Sequence, residues 1–236
     1  SVAVVRFASI NESAEGIVML NLPVPAQQRS KMALERFLNT SAHLLANNEF
    51  EQTGVAQIAK LSGSSVGTFY RLFGDKDVLL CAAHDRFVLK SRERVSMLAE
   101  QLNASPSSLV DKASDFITGV SDIYNKSEGL IRALIIRSSS DANFRIRIHQ
   151  LNSHVCETFT HLLTSHEAVL GHPNPGQAAD LCAHMLLASL NYLSMVGTLG
   201  STPREAIPRE LSRLICSYLQ AQPTSAVAAS SAQRKA

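Results

Sequence analysis

Ser65, Thr68, Tyr70, Arg71 and Lys76 gather hydrogen-bonding side chains into one short stretch, with Gly67 among them. Neither this stretch nor the rest of the chain holds a Gly-rich phosphate loop, a nucleophile elbow or a paired-carboxylate motif, so catalysis is not the expected chemistry. Recognition is. Ser65, Gly67, Thr68 and Arg71 are small or hydrogen-bonding and allow close approach to a nucleic acid surface. A guanidinium can bond O6 and N7 of one guanine together, which makes Arg71 the candidate for base readout. Val66 either touches a thymine methyl or packs in a core. Gly67 lets a helix backbone come close to its target. Lys76 falls in the first turn of a helix, a position that itself favours an anion. The plain alternative makes Tyr70 a core aromatic with a wet hydroxyl and Arg71 a solvated charge.

The element that must position these residues is legible in Gln57–Leu80. Val66, Phe69, Tyr70 and Phe73 stand at i, i+3, i+4 and i+7, the spacing of one helical face. A helix precedes them, a tight turn falls at Gly63, and a further helix follows. Two short helices crossed at a glycine-containing turn predict a helix-turn-helix, whose second helix enters the DNA major groove.

The run from Arg36 to Leu80 resembles the N-terminal domain of TetR-family transcriptional regulators. The matching residues are Thr53, Ile58 and Ala59, then Ser62, Gly63, Ser65, Gly67, Thr68, Tyr70 and Phe73, then Lys76, Leu79 and Leu80. The resemblance implies phosphate contacts from Thr53, Ser65, Thr68, Tyr70 and Lys76. The chain departs from the family pattern at Ser64, where an apolar residue normally plugs the turn, and at Leu72, where His or Tyr often contacts phosphate. A looser turn and weaker phosphate anchoring are the expected consequences.

With 236 residues and a formal charge of +2, the chain suits a soluble, core-rich helical protein. From Arg29 to Val95 the balance is +3, a mild lean toward a polyanion. Cys81, Cys156, Cys182 and Cys216 show no paired spacing and read as free thiols of a reducing cytosol. No apolar run reaches the roughly 18 residues of a membrane span. Gly16 to Leu22 is apolar but lacks the basic lead-in of a signal peptide.

The expected architecture is all-α, with about nine helices. Residues 1–28 form a flexible extension, 29–76 the helix-turn-helix domain, 77–222 a helical ligand-binding and dimerisation domain, and 223–236 a flexible tail. Thr53 and Asp75 are expected helix N-caps. Ser105-Pro106 is expected to start a helix with Pro at its first position. Asn174-Pro175-x-Gln177 and Thr202-Pro203-Arg204-Glu205 read as capped helix starts. A helix from about Asp141 to Leu170 is expected before both. Gln177 to Leu199 is apolar on nearly every face, which calls for burial on all sides, and so for a partner surface. In the family, the last two helices build a four-helix bundle between two subunits, and this helix falls in that slot.

His154, Glu157 and His161 share a helical face, but an i to i+7 step spans about 10 Å, too far for both imidazoles to meet one ion easily. No metal and no cofactor is expected. A small-molecule pocket in the second domain is implied by the resemblance, with Phe116, Phe159, Met185 and Tyr192 as candidate lining residues or ordinary core. The expected protein is a cytoplasmic, homodimeric regulator without enzymatic activity. It binds a palindromic operator in double-stranded DNA and a hydrophobic or amphipathic effector releases it. The alternative is a helical dimerisation or ligand-binding module that has lost specific DNA binding.

Overall fold

The computed structural model describes residues 10–12, 18–20, 28–166 and 169–220. It is helical throughout apart from one ribbon, in which β1 (Ile10–Glu12) pairs antiparallel with β2 (Val18–Leu20), Asn11 opposite Met19. Both strands fall within the stretch 1–28 expected from the sequence as a flexible extension. The rest of that extension, apart from Gln28, and the 223–236 tail lie outside the described residues. The helices are α1 (Gln28–Ala46), α2 (Val55–Leu61), α3 (Val66–Phe73), α4 (Lys76–Ala104), α5 (Leu109–Lys126), α6 (Glu128–Ser138), α7 (Ala142–Thr164), α8 (Pro175–Val196) and α9 (Ile207–Tyr218).

Packing divides the chain into two compact units. Ser1–Lys90 and Ser127–Gln150 make the first, Ser91–Lys126 and Leu151–Ala236 the second. The first thus takes in more of the chain than the sequence boundary at 76/77 assigned to the helix-turn-helix.

In the first unit, α1 lays Phe37 against α3. Its ring meets those of Phe69 and Phe73 edge-on at 5.6 and 5.5 Å, a geometry that aligns ring edge with ring face. Asn48, with φ +58°, turns the chain out of α1 in the left-handed conformation that Asn tolerates. At the first turn of α6, Gly129 packs directly on the Leu45 carbonyl of α1. A buried ion pair lies between α4 and α7. Arg147 donates to both Asp85 oxygens, at 2.6 and 3.1 Å, and to the Asn143 carbonyl at 2.8 Å. Beside it, His84 is fully buried, with Nε2 3.1 Å from the Leu130 carbonyl and its ring edge-on to Phe144. Burial lowers its pKa from 6.5 to about 3.

In the second unit, Phe116 of α5 and Phe159 of α7 stack with centroids 4.8 Å apart. α8 buries Cys182, Leu186, Leu190 and Leu193 and leaves Leu181, Met185, Tyr192 and Val196 exposed. On α9, Leu211 and Ile215 are buried while Leu214 and Tyr218 are exposed. The expectation that no stretch could span a membrane needs correction. With 22 residues, α8 is long and apolar enough by length and composition. Of that apolar stretch 44% is buried within the chain.

Several helix starts differ from the sequence reading. α2 has Gly54 at its N-cap position and no side-chain cap, and the Thr53 hydroxyl donates to the Glu49 carbonyl at 2.7 Å. α5 starts at Leu109, where Ser108 Oγ accepts the Asp111 N–H and donates to its carboxylate, a reciprocal cap that Ser105-Pro106 does not make. α8 starts where the sequence placed it, with Asn174 at the N-cap position and Pro175 first in the helix, but without a side-chain cap bond, and the short turn after Pro203 has none either. α7 ends at Thr164, with the hydroxyls of Thr164 and Ser165 on carbonyls of its last turn. Asp75 does cap α4, accepting the Val78 N–H at 2.8 Å.

Candidate nucleic-acid interface

α2 ends in a tight reversal. Gly63 takes φ +56°, its N–H bonds the Lys60 carbonyl, and the Ser64 N–H bonds the Ala59 carbonyl. This is the paired closure of a Schellman motif, and it delivers the chain into α3 within three residues. Ser65 then caps α3. Its Oγ accepts the Thr68 N–H at 3.1 Å and lies 2.9 Å from Thr68 Oγ1.

The apolar face read from the sequence is only half buried. Phe69 and Phe73 are core, whereas Val66 and Tyr70 are 40% and 54% exposed. With Gly67 and Arg71, which are also exposed, they form a strip at i, i+1, i+4 and i+5 along α3. A surface with a methyl-bearing side chain, an open backbone, a phenol and a guanidinium can meet thymine methyls, phosphates and guanine edges.

Several predicted contact residues have partners within the chain. An Arg71 N–H donates to Ser30 Oγ at 3.3 Å. Lys76 Nζ donates to the Glu51 carbonyl at 2.9 Å and lies 4.8 Å over the Phe50 ring. The Glu51 carboxylate in turn accepts from Arg137 at 3.0 Å. Leu72, where a phosphate donor was missed in the sequence, is half-buried. Sequence reasoning also overlooked Ser30 and Arg36. Arg36 Nε donates to the Ser62 carbonyl at 2.9 Å, and its Nη2 lies 3.2 Å from Ser64 Oγ. Both ties join α1 to residues far along the chain, so no local pattern could have revealed them.

Of the four candidate pocket residues, Phe116 and Phe159 come together as a stacked pair and Met185 and Tyr192 stand apart from it in burial. Phe116 and Phe159 are fully buried core, while Met185 and Tyr192 are more than half exposed on α8. None of them lines either of two clefts. One, of about 150 Å³, lies between α1 and α6 over Leu45, Phe50, Ala133 and Ile136. The other, of about 490 Å³, runs between α7 and α8 past Cys156, Thr160, Asp180 and His184. His154 Nε2 lies 3.1 Å from Ser96 Oγ and 3.2 Å from the Arg92 carbonyl. Among the described residues, no three His, Cys, Asp or Glu side chains are grouped to hold a metal.

Residues 37–83 match the sequence profile of the bacterial regulatory proteins of the tetR family. A 72-residue segment is 33% identical to the HTH-type transcriptional regulator YerO of Bacillus subtilis; it covers 30% of this chain and 25% of that protein. The chain therefore matches about a quarter of the length of this relative. Among solved structures, Salmonella enterica GusR aligns over 80% of this chain and 95% of its own, with a TM-score of 0.60 and 18% identity. PfmR, a TetR-family transcriptional regulator of Thermus thermophilus, aligns over 79% and 98%, at 0.57 and 18%. The transcriptional regulator FadR of Bacillus subtilis, solved with stearoyl-CoA, aligns over 77% and 96%, at 0.57 and 16%. At these identities the structures attest a shared fold.

Proposed function

We propose that this TetR-family transcriptional regulator works as a homodimer that grips a palindromic operator and lets go when a small hydrophobic or amphipathic molecule binds. The observation that carries the reading is the exposed strip Val66-Gly67-Tyr70-Arg71, on the second helix of a helix-turn-helix. Thr53, Ser65, Thr68, Tyr70 and Lys76 anchor phosphates in this reading, and Arg71 with Val66 reads bases. Lys76 must leave the Glu51 carbonyl to do so.

The apolar side chains left exposed on α8 and α9 support the dimer. Leu181, Met185, Tyr192, Val196, Leu214 and Tyr218 form surface of a kind that a second copy would bury. Two copies also suit DNA, because recognition helices in successive major grooves must be ~34–36 Å apart. An effector that binds the wider-spaced form more tightly shifts the pair toward it and releases the operator. FadR, crystallised with stearoyl-CoA, shows that the fold admits an amphipathic ligand in that protein. The regulator acts in the cytoplasm, as a repressor, without catalysing a reaction.

The test is selection of bound fragments from random duplex DNA, with the Tyr70→Phe/Arg71→Ala variant as control. An enriched palindrome that the control loses supports the reading. Arg71→Ala alone should cost roughly 1–3 kcal/mol on the preferred site and relax its sequence preference. No enrichment at low salt, from folded dimer, would favour a helical module without specific DNA binding.

A further inference from the structure

We propose that Arg36, on α1, is the positioning residue that sets the recognition helix, taking the place of the apolar contact that the turn lacks. The proposal rests on the DNA-binding reading and deepens it. A Schellman closure is commonly accompanied by a hydrophobic contact between the residue after the left-handed one and the last turn of the helix. Here that residue is Ser64, which has no apolar side chain to offer.

What the turn has instead is a polar brace. The Arg36 guanidinium uses two of its nitrogens at once, Nε on the Ser62 carbonyl at 2.9 Å and Nη2 toward Ser64 Oγ at 3.2 Å. Ser64 Oγ in turn donates to the Ser62 carbonyl at 3.4 Å. The planar fork of a guanidinium suits two acceptors at a fixed separation, which a lysine ammonium cannot match. Arg36 is one residue before Phe37, the ring that packs on Phe69 and Phe73 of α3. One turn of α1 therefore holds α3 by its buried face and the turn before α3 by the Ser62 carbonyl. Fixing Ser62 and Ser64 fixes the direction in which the chain enters α3, and with it the aim of the exposed strip.

Positioning can be separated from direct phosphate contact and from simple loss of fold. Wild type, Arg36→Ala, Arg36→Lys and Arg36→Ala/Ser64→Val would be titrated against the selected operator and a scrambled duplex over a range of salt. Operator binding by wild type checks the underlying reading first; without it the DNA-binding reading fails, and the turn is not in question.

Given that binding, Arg36→Ala should lose about ten- to a hundredfold in the ratio of operator to scrambled affinity, the worth of a hydrogen bond to a charged group. The slope of log affinity against log salt should stay that of wild type. Arg36→Lys should fall between the two, and it serves as the test if Arg36→Ala does not fold. Ser64→Val, which supplies the missing apolar plug, should restore most of the ratio in the Arg36→Ala background. An unchanged ratio in both single variants would overturn the proposal. A salt slope smaller by about 1 would also overturn it, by showing that Arg36 neutralises a phosphate. Equal loss on both duplexes would do the same, by showing a fall in folded protein alone.

Discussion

Gly129→Ala is the substitution whose sign tests the packing of α1 on α6. On an open helix the change would help, since Ala is favoured over Gly by about 0.8–1 kcal/mol in a helix interior. At position 129 a Cβ would stand 2.6 Å from the Leu45 carbonyl carbon, 2.7 Å from Ala46 Cα, and nearer still to the Leu45 oxygen. These are backbone atoms, so no rotamer change can make room. Ordinary contact begins near 3.4 Å, and α6 must therefore back away from α1 by about 1 Å. Overpacking of this kind costs about 1–3 kcal/mol. With a rigid obstacle we expect the upper half of that range, a loss of about 2–3 kcal/mol, reduced by at most the interior helix preference because Gly129 stands in the first turn. Urea denaturation followed by circular dichroism reads this as a lower midpoint at unchanged slope. Gly176→Ala is the control, because nothing lies within 4 Å of its added Cβ; it should leave the midpoint level or raised. A Gly129→Ala protein as stable as wild type would refute the close α1–α6 contact.

Three further outcomes follow from the same geometry. Gly67→Ala should stabilise the fold by about 0.5–1 kcal/mol, since the nearest atom to its Cβ is Ser65 Oγ at 3.9 Å. The same methyl should weaken operator binding, and unchanged affinity in a mobility-shift titration would mean that the α3 backbone does not approach DNA. Asp85→Ala strands the buried Arg147 guanidinium and should cost about 3–5 kcal/mol in chemical denaturation. Asp85→Leu/Arg147→Met, which removes both charges, should recover most of it. His84 predicts a pH dependence of defined sign. Its folded pKa of about 3 lies below the ordinary 6.5, so between those values the unfolded chain binds a proton that the folded chain refuses. Its contribution is fully present above pH 6.5 and falls by up to about 1.4 kcal/mol per pH unit as the pH drops toward 3. His84→Leu should flatten the stability profile between about pH 6.5 and 4.5, and identical slopes would show that His84 is not buried neutral.

The helix order and the helix-turn-helix were readable because their signals are local. Asp75 caps the helix it precedes, Gly63 turns where only a left-handed residue closes the motif, and the 3.6-residue pattern locates α3. Reading failed where a second element intervenes. Val66 and Tyr70 share a period with Phe69 and Phe73, but only the latter two meet the single ring of Phe37, so half of that face stays exposed. Thr53 looks like a cap, but α2 begins one residue later, with Gly54 at the cap position. Ser64, taken alone, suggests a loose turn; Arg36, 28 positions earlier, makes it a tight one.

The four cysteines divide by depth. Cys81, Cys156 and Cys182 are buried, with pKa values pushed up to about 11, mainly by desolvation, while Cys216 is only partly covered. Alkylation needs both a thiolate and an open path. A maleimide added to native protein will therefore mark Cys216 first, and the other three only as fast as their surroundings come apart. Cys81 belongs to the first packing unit and Cys156 and Cys182 to the second. The wild-type chain thus carries a clock in each unit, and the rate at which each mass increment appears reports how often the surroundings of that thiol open.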